Sequence, residues 1–351
     1  MRILHVIQEL GVGGAERMTA ALAKGARRAG HEVAVVAAPG PMGGELDVPI
    51  FTLPIVRRHV HRLPMAAHAV RRALRSWSPD IVHCHNPTMA LVAALAMGWR
   101  QRRSALVTIE GAADDDYRMT ARLLRCLPIA PVACGPGVAA ALEDFGVHVR
   151  TIANGTSPAP PCADRSHLER EWSPLRGRKL LVAAGRLVAQ KNFGLAIRAL
   201  AEVPEACLVI MGEGPLRAGL DNDATEAGVR NRVVFTGLRT DARAVMGVAD
   251  AVVVCSRWEG LSLVALEALA AGRPLITTKA RWLDTVLTHE RDCLLVDPED
   301  PGVLAAAMRR VLGDAELAAR LGRAGARVAA SYTEEGAVNA YLELYATLTA
   351  P

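Results

Sequence analysis

The chain has few aromatic residues, which make up 4% of its 351 residues. Proteins that bind single-stranded nucleic acids stack the bases on aromatic side chains inside a basic groove. This sequence has no tract in which basic and aromatic residues interleave, and its net charge is only +5. The composition therefore disfavours nucleic acid as a partner.

Paired cysteines are also missing. The seven cysteines are scattered along the chain, odd in number and never arranged as C-x-x-C. Disulfide frameworks use an even set of cysteines, and zinc ribbons use C-x-x-C pairs. The sequence argues against both, and a reduced cytoplasm is the expected setting.

The sequence also lacks a long apolar run. The longest run, at about residues 89–99, is too short to span a bilayer, which takes ~20 apolar residues. The chain begins with a strand-like segment, Met1-Arg-Ile-Leu-His-Val-Ile7, without a signal-peptide pattern. We expect a soluble cytoplasmic protein, and peripheral attachment at the inner membrane face stays open.

The excess of positive charge lies in the first half, where residues 1–172 hold 20 Lys and Arg against 15 Asp and Glu. Two interpretations remain open for this excess, a solvated helix face and the attraction of an anionic acceptor or lipid surface. The arginines concerned cluster around one amphipathic helix: Arg57, Arg58, Arg62, Arg71, Arg72 and Arg75.

The chain is long enough for two domains, because a single core usually stops growing below 351 residues. Strand-like and helix-like segments alternate through both halves, which is typical of parallel, doubly wound sheets. A proline-rich and polar stretch after Gly155 interrupts the alternation. We predict a first domain over residues 1–157, a linker over 158–178, and a second domain from 179 onwards.

The first turn between strand and helix is rich in glycine: Gly11-Val-Gly13-Gly14-Ala-Glu16-Arg17. Backbone N–H groups at such a turn favour an anion. A dinucleotide fingerprint fails here, because Glu16 takes the place of the third glycine and the second strand ends without an acid for a ribose. A phosphate loop and a tight turn both remain open.

The segment Asp80-Ile-Val-His83-Cys-His85-Asn86 places two imidazoles on one face of a strand, since that face repeats every second residue. A zinc site needs at least a third protein ligand, and the sequence shows none nearby. We therefore favour cleft lining or ordinary packing over a metal site.

Two cations follow the first strand of the second half, in Gly185-Arg186-Leu-Val-Ala-Gln-Lys191-Asn192. Asn192 is a good N-cap for the next helix, and cations near a helix N-terminus oppose its dipole. A diphosphate between the cations explains their placement, and two solvated surface cations are the alternative. The next strand ends in Gly212-Glu213-Gly214, which suits a flat base or a simple turn equally.

Residues 251–272 carry two carboxylates eight positions apart, Glu259 and Glu267. A β-branched strand leads to Glu259 at the sheet edge, and the following helix is apolar enough to be buried around Glu267. An unpaired buried carboxylate costs several kcal/mol. Either both carboxylates meet one ligand, or Glu267 pairs with Arg273 or Arg257 while Glu259 lies in water.

In order and spacing, these motifs resemble the retaining glycosyltransferases of family 4, which have the GT-B fold. The resemblance covers almost the whole chain. It implies an α/β architecture of two doubly wound, Rossmann-like domains that face each other across a cleft. Residues 1–157 would bind the acceptor, residues 179–332 would bind a nucleotide-sugar, and residues 333–351 would form a helix that packs back on the first domain. The motifs that carry it are Gly13-Gly14-Ala-Glu16-Arg17, Asp80-Ile-Val-His83-Cys-His85-Asn86, Asn154-Gly155, Gly185-Arg186-Leu-Val-x-x-Lys191-Asn192, Gly212-Glu213-Gly214-Pro215 and the pair Glu259 and Glu267.

The resemblance also implies the site. Arg186 and Lys191 would hold the diphosphate, Glu267 the ribose hydroxyls, and Glu259 the transferred sugar. Arg186, Lys191 and Glu259 form the predicted catalytic set. The other predicted substrate contacts are Gly13, Gly14, His85, Glu110, Asn154, Glu213, Gly260, Leu261 and Ser262.

The chemistry implied is transfer with retention through an oxocarbenium-like transition state. Fixed cations and helix N-termini can stabilise the departing diphosphate, so we expect neither a metal nor a cofactor. By family frequency, the donor is expected to be a UDP-sugar carrying a hexose or N-acetylhexosamine, with GDP-mannose next. The acceptor hydroxyl stays open among glycan, lipid-linked and small-molecule acceptors.

One departure from the family pattern is Glu110-Gly111, where many relatives carry a histidine. Glu110 either contacts an amino-substituted donor or acceptor, or marks a changed acceptor geometry. The triplet at residues 114–116 contains the D-x-D pattern of metal-dependent, single-domain transferases, and we interpret it as an acidic loop. Rival functions are a catalytically silent nucleotide-sugar-binding partner of another transferase, and an oxidoreductase, which the glycine loop disfavours.

Overall fold

The computed structural model describes residues 1–56, 59–98, 104–280 and 283–350, and it divides into two compact units. The first unit combines Met1–Gly155 with the C-terminal segment Glu334–Pro351, and the second unit is Thr156–Thr333. Each unit is built on its own parallel sheet. Among the described residues, no helix combines the length and the apolar character needed to cross a bilayer.

The sheet of the first unit has the strand order β3-β2-β1-β4-β5-β6-β7, and its pairings are parallel. The order reverses between β1 and β4, and ligands of doubly wound sheets bind at this kind of reversal. The strands are β1 (Arg2–Glu9), β2 (Glu32–Ala38), β3 (Ile50–Thr52), β4 (Ile81–Cys84), β5 (Ser104–Ile109), β6 (Ala130–Ala133) and β7 (Arg150–Thr151). The helices of this unit are α1 (Gly14–Arg28), α2 (Leu63–Trp77), α3 (Pro87–Met97), α4 (Asp114–Cys126), α5 (Pro136–Glu143) and the C-terminal α14 (Glu334–Thr349).

Helix α14 packs on the first unit although it follows the second unit in sequence. Gly25 of α1 lets it approach closely, since a Cβ on Gly25 would lie 2.5 Å from Cγ1 of Val338. Tyr341 and Tyr345 of α14 are each 1% exposed and belong to the same core as β1 and β2. The predicted return of the last helix to the first domain is therefore confirmed.

The sheet of the second unit has the order β10-β9-β8-β11-β12-β13, again with parallel pairing. Its order reverses between β8 and β11. The strands are β8 (Lys179–Ala184), β9 (Ala206–Met211), β10 (Val233–Gly237), β11 (Ala251–Val254), β12 (Leu275–Thr278) and β13 (Leu294–Val296). The helices are α6 (Arg165–Glu171), α7 (Phe193–Leu200), α8 (Arg217–Glu226), α9 (Ala242–Met246), α10 (Leu263–Ala270), α11 (Leu283–Val286), α12 (Pro301–Gly313) and α13 (Ala315–Ala329).

Residues 158–178, predicted as a linker, lie within the second unit and include α6. Leu168 and Trp172 are buried there. The Arg165 guanidinium donates to the Arg178 carbonyl at 2.8 Å and to the Asp250 carboxylate at 3.2 Å. The helix itself carries one buried apolar residue, Leu168, so it has too little periodicity for the sequence to predict that the segment packs.

Candidate active site

The carboxyl ends of β8 and β11 are neighbours in the second sheet, because Val182 pairs with Val252. The strand order reverses between these two strands, so the loops that follow them diverge and leave a crevice at the sheet edge. The loop after β8 carries Arg186 and Lys191, and the loop after β11 carries Glu259. Three of the predicted site residues thus share one edge of the sheet.

Lys191 and Glu259 form an ion pair across these two loops, between Nζ and Oε1. The Ser256 hydroxyl donates a second hydrogen bond, of 2.6 Å, to the same carboxylate oxygen. The side chains of Lys191 and Glu259 are 19% and 9% exposed, so the pair is largely shielded from water. The alternative in which Glu259 is a loop residue in water is wrong.

Two hydrogen bonds to backbone carbonyls fix the two loops to each other. The Arg257 N–H donates to the Gln190 carbonyl at 2.8 Å, and the side-chain amide of Gln190 donates through Nε2 to the Trp258 carbonyl at 2.9 Å. The loops therefore do not depend on the ion pair alone for their relative placement.

Arg186 has a different environment, although it lies only five residues from Lys191. Its side chain is exposed, and it has no hydrogen bond or ion pair with any residue that the structure describes. The loop therefore offers one cation that is held by a carboxylate and one that can reorient towards an anionic ligand.

The glycines after β9 bring a third loop against the first. A Cβ on Gly212 would lie 2.0 Å from the Gly185 carbonyl oxygen, and a Cβ on Gly214 would lie 2.6 Å from that of Leu187. The Leu187 N–H donates to the Glu213 carbonyl at 2.9 Å. The glycines are thus required for close backbone approach between two loops, and the Glu213 side chain is left exposed.

Glu267 lies on α10, inside the second unit, with 4% of its side chain exposed. Ser262 is the N-cap of this helix, and its hydroxyl oxygen accepts from the Ala265 N–H at 3.5 Å. The charge partner of Glu267 is Arg243, with 3.5 Å between Nε and Oε1.

Neither partner considered for Glu267 from the sequence takes that place. Arg273 reaches the Ala249 carbonyl at 3.5 Å, and Arg257 lies 3.7 Å from Glu299. Arg243 could not be predicted as the partner, because it lies on a different helix, 24 positions earlier, where no motif singles it out.

Asn192 stands at the N-cap of α7 as predicted, but its side chain does not cap the helix. The residue adopts a left-handed conformation, with φ 48°, and its amide donates to the Pro298 carbonyl at 3.2 Å. A side-chain cap requires extended backbone at this position, so the expectation of a capping bond is wrong.

In the first unit, Gly13 is the N-cap of α1 and Gly14 is its first residue. The chain itself supplies an anion here, because a Cβ on Gly13 would lie 2.4 Å from Oε2 of Glu16. A carboxylate in the first turn complements the helix dipole. Glu16 therefore stabilises the start of α1, and the contact of Gly13 and Gly14 with a ligand stays a prediction.

His85 is 2% exposed and lies in a cluster of three buried histidines with His83 and His5. His5 Nδ1 and His85 Nε2 are 3.0 Å apart and share a hydrogen bond. His5 was not among the predicted site residues, and β1 brings it into register with His83 of β4. Strand pairing, which the sequence does not specify, brings the three together.

One ligand atom from each of the three histidines lies within 4.8 Å of the others, but the cluster is already hydrogen-bonded. The rings of His83 and His85 stack at 4.1 Å with 25° between their planes. Both nitrogens of His83 are already engaged, with the Tyr345 hydroxyl at 2.6 Å and the Thr108 hydroxyl at 2.7 Å.

Burial lowers the pKa of all three histidines, that of His5 to about 3. Neighbouring imidazoles lower the pKa values of His83 and His85 further. The cluster is thus a neutral hydrogen-bonded network that connects the sheet to α14.

The remaining predicted residues of the first unit lie at strand ends. Glu110 follows β5 and is half-buried, and Asn154 is buried beyond β7, with its N–H donating to the Cys134 carbonyl at 2.9 Å. The acidic triplet 114–116, predicted as a loop, is the first turn of α4. The carboxylates of Asp115 and Asp116 lie in this first turn, where negative charge complements the helix dipole.

The chain is similar in sequence to known glycosyltransferases. The family described as "Glycosyl transferases group 1" matches residues 165–328, and "Glycosyltransferase Family 4" matches residues 12–160. The chain is 30% identical to the lipopolysaccharide core biosynthesis glycosyltransferase LpsD of Rhizobium meliloti, over 98% of each chain.

Two further similarities extend the comparison. The chain is 25% identical to the UDP-Gal:alpha-D-GlcNAc-diphosphoundecaprenol alpha-1,3-galactosyltransferase of Escherichia coli, over 78% of each chain. Its fold matches that of Anabaena Alr3699/HepE in complex with UDP and glucose, with a TM-score of 0.86 at 20% identity over 99% of each chain. Both relatives act on or bind a uridine nucleotide by their printed names.

Proposed function

The chain belongs to glycosyltransferase family 4, and from this premise we propose that it moves a hexose or N-acetylhexosamine from a nucleoside diphosphate sugar to an acceptor hydroxyl. We further propose that the anomeric configuration is retained and that no metal takes part. The observation that carries the proposal is the shielded Lys191–Glu259 ion pair beside the exposed Arg186, at the reversal of strand order in the second sheet.

In the proposed reaction, the bond between the anomeric carbon and the diphosphate breaks, and a bond from that carbon to the acceptor oxygen forms. The acceptor's proton passes to the departing diphosphate. Negative charge grows on the diphosphate in the transition state, and positive charge grows on the sugar ring. In this proposal Arg186 and Lys191 stabilise the diphosphate, since fixed cations lower such a barrier by stabilising the charge that develops.

The two carboxylates take separate roles in this proposal. Glu259 is held at the crevice by Lys191 and Ser256, which suits a contact to the hydroxyls of the transferred sugar. Glu267 lies deeper, on α10, and suits hydrogen bonds from the ribose hydroxyls. The backbone from Gly260 to Ser262 leads into the N-terminus of α10, where a helix dipole favours negative charge.

For the donor, we propose a UDP-sugar ahead of GDP-mannose. Support comes from the UDP named with Alr3699/HepE and from the UDP-Gal in the name of the Escherichia coli relative. For the acceptor, the lipopolysaccharide core and diphosphoundecaprenol relatives favour a glycan or lipid-linked hydroxyl over a small molecule.

We also propose that the first unit contacts an anionic membrane surface. Arg72 and Arg75 of α2 are exposed, whereas Arg71 donates to the Leu95 and Ala96 carbonyls, each at 3.0 Å. Arg57 and Arg58 lie outside the described residues. Cosedimentation with vesicles of anionic phospholipid at low salt tests this, and a chain that stays in the supernatant contradicts it.

The proposed donor is tested by thermal unfolding in UDP, GDP, ADP and TDP, with EDTA present in one series and Mg²⁺ in another. A ligand bound only by the folded chain adds about 2.7 kcal/mol of stability at 100 times its Kd. We expect UDP to raise the midpoint most, by several degrees, and equally in both series. Stabilisation confined to the Mg²⁺ series would contradict metal independence.

Turnover and product stereochemistry complete this test. With the nucleotide identified, release of nucleoside diphosphate from the matching sugar is measured with relatives' acceptors, and the anomer of the product is read by NMR. We expect the donor's anomeric configuration. Tight nucleotide binding without turnover on any donor would indicate the silent partner subunit instead.

A further inference from the structure

Arg243 is the charge partner of the buried Glu267, and it lies on α9, outside every motif. The Arg243 side chain is 19% exposed and that of Glu267 is 4% exposed. A carboxylate so deeply buried needs a compensating charge, since an uncompensated one costs several kcal/mol. Arg243 supplies that charge from α9, a helix that lies 24 positions before Glu267 in the sequence.

The guanidinium of Arg243 is held by a different segment. Nη1 donates to the Ser157 hydroxyl at 2.7 Å, and Nη2 donates to the carbonyls of Ser157 and Pro158, the latter at 2.9 Å. Its Nε is buried and makes no hydrogen bond among the described residues, and this atom lies 3.5 Å from Glu267. Residues 157–158 therefore fix the two Nη atoms of the guanidinium, while Nε faces the Glu267 carboxylate at ion-pair distance.

Residues 157–158 are themselves fixed in place. They follow directly on Thr156, whose N–H donates to the Tyr332 carbonyl at 2.9 Å and which bridges to Thr333. The Arg243 guanidinium is thus held by residues 157–158 on one side and faces the Glu267 carboxylate on the other. Such a support orders a ligand-binding carboxylate before the ligand arrives, which lowers the entropic cost of binding.

We propose that Arg243 is a positioning residue for donor binding, one that orients Glu267 for the ribose hydroxyls. The proposal rests on the proposed function of Glu267 as the ribose contact. Arg243 acts through Glu267 and does not itself touch the donor, so its removal should weaken nucleotide binding and leave the chemical step nearly unchanged.

The test compares Arg243→Met, Arg243→Lys and Glu267→Gln, alone and combined, by calorimetric titration with UDP. We expect Arg243→Met to raise the Kd for UDP and the donor KM about 10- to 100-fold, with kcat within about threefold of wild type. Arg243→Lys keeps the charge without the fork, so partial recovery is expected. In the Glu267→Gln background, Arg243→Met should add nothing further, because coupled residues are not additive.

Arg239 is the matched control. Its side chain is 18% exposed, and it binds Asp241 and Glu171 at 2.7 Å, so Arg239→Met removes a comparable ion-pair network in the same region. It is expected to lower the melting temperature without changing the Kd for UDP. A wild-type chain that binds none of the nucleotides would overturn the proposed function and this inference together. Wild-type binding of UDP with an unchanged Kd in Arg243→Met, or independent effects of Arg243 and Glu267, would overturn the inference alone.

Discussion

Replacing Lys191 by methionine is expected to lower kcat about 100- to 1,000-fold, the usual loss when one fixed charge-stabilising group is removed from a transition state. The Lys191 ammonium is held by Glu259 across the crevice and is largely shielded from water. Water is therefore not expected to replace the ammonium in stabilising the departing diphosphate. Methionine keeps the length and the packing of the stem. The measurement is release of nucleoside diphosphate at saturating donor and acceptor.

Lys179→Met is the matched control for this loss. Lys179 is the first residue of β8, the strand whose carboxyl end leads into the Lys191 loop; its ammonium lies 3.5 Å from Asp250 and its side chain is 51% exposed. Its replacement should leave kcat unchanged. If Lys191→Met kept kcat within about threefold of wild type while remaining folded, Lys191 would have no part in carrying the charge of the leaving group.

Acidification from about pH 7 to about pH 5 is expected to destabilise the chain by several kcal/mol through the three buried histidines. Burial lowers the pKa of His5 to about 3 and holds those of His83 and His85 well below the ordinary value. In the unfolded chain each would titrate near ~6.5. The stability that they contribute is complete above that pH and is lost progressively as the pH falls towards the folded pKa values.

The size of this loss follows from the difference in bound protons. At pH 5 each imidazole that stays neutral in the folded chain and charged in the unfolded chain costs about 2 kcal/mol. Three such groups approach the whole stability of an ordinary domain, about 5–15 kcal/mol. The other groups that face the cluster are the hydroxyls of Thr108, Tyr341 and Tyr345, with Glu110 close to Tyr341. Burial raises the pKa of both tyrosines, so they stay neutral throughout.

Urea unfolding between about pH 7.5 and pH 5 measures this effect. We expect the free energy of unfolding to fall as the pH decreases below about 6, with a slope against pH that corresponds to the uptake of up to three protons on unfolding. His5→Gln should reduce the slope by about one proton, and His68→Gln, which replaces an exposed histidine on α2, should leave it unchanged. A wild-type stability that is flat over this range would mean that the histidines are charged in the folded chain.

Much of the second unit's site could be predicted from the sequence, because its residues lie in loops of fixed length between strands. Arg186 and Lys191 follow a buried strand and Glu259 follows another, and parallel strands bring their carboxyl ends to one edge. Only the resemblance to a family assigned them to a diphosphate and a sugar. Residue chemistry alone left solvated cations and a solvated carboxylate as alternatives.

The partners of these residues could not be predicted, because each depends on tertiary contact across unrelated segments. Arg243 reaches Glu267 from α9, and His5 reaches His85 from β1, at sequence separations of 24 and 80 residues. The burial of Leu168 inside the second unit could not be predicted for the same reason. Sequence periodicity reports which face of an element is buried, but not what covers it.

The central claim, that Glu267 anchors the nucleotide and Glu259 contacts the sugar that moves, is tested most directly by one pair of titrations. The Kd for UDP is measured by calorimetry for Glu259→Ala and Glu267→Ala, together with kcat for the matching donor. Glu267→Ala is expected to weaken UDP binding at least tenfold, whereas Glu259→Ala is expected to keep the UDP affinity of wild type and lose turnover. Equal losses of UDP affinity in the two variants would contradict this division of roles.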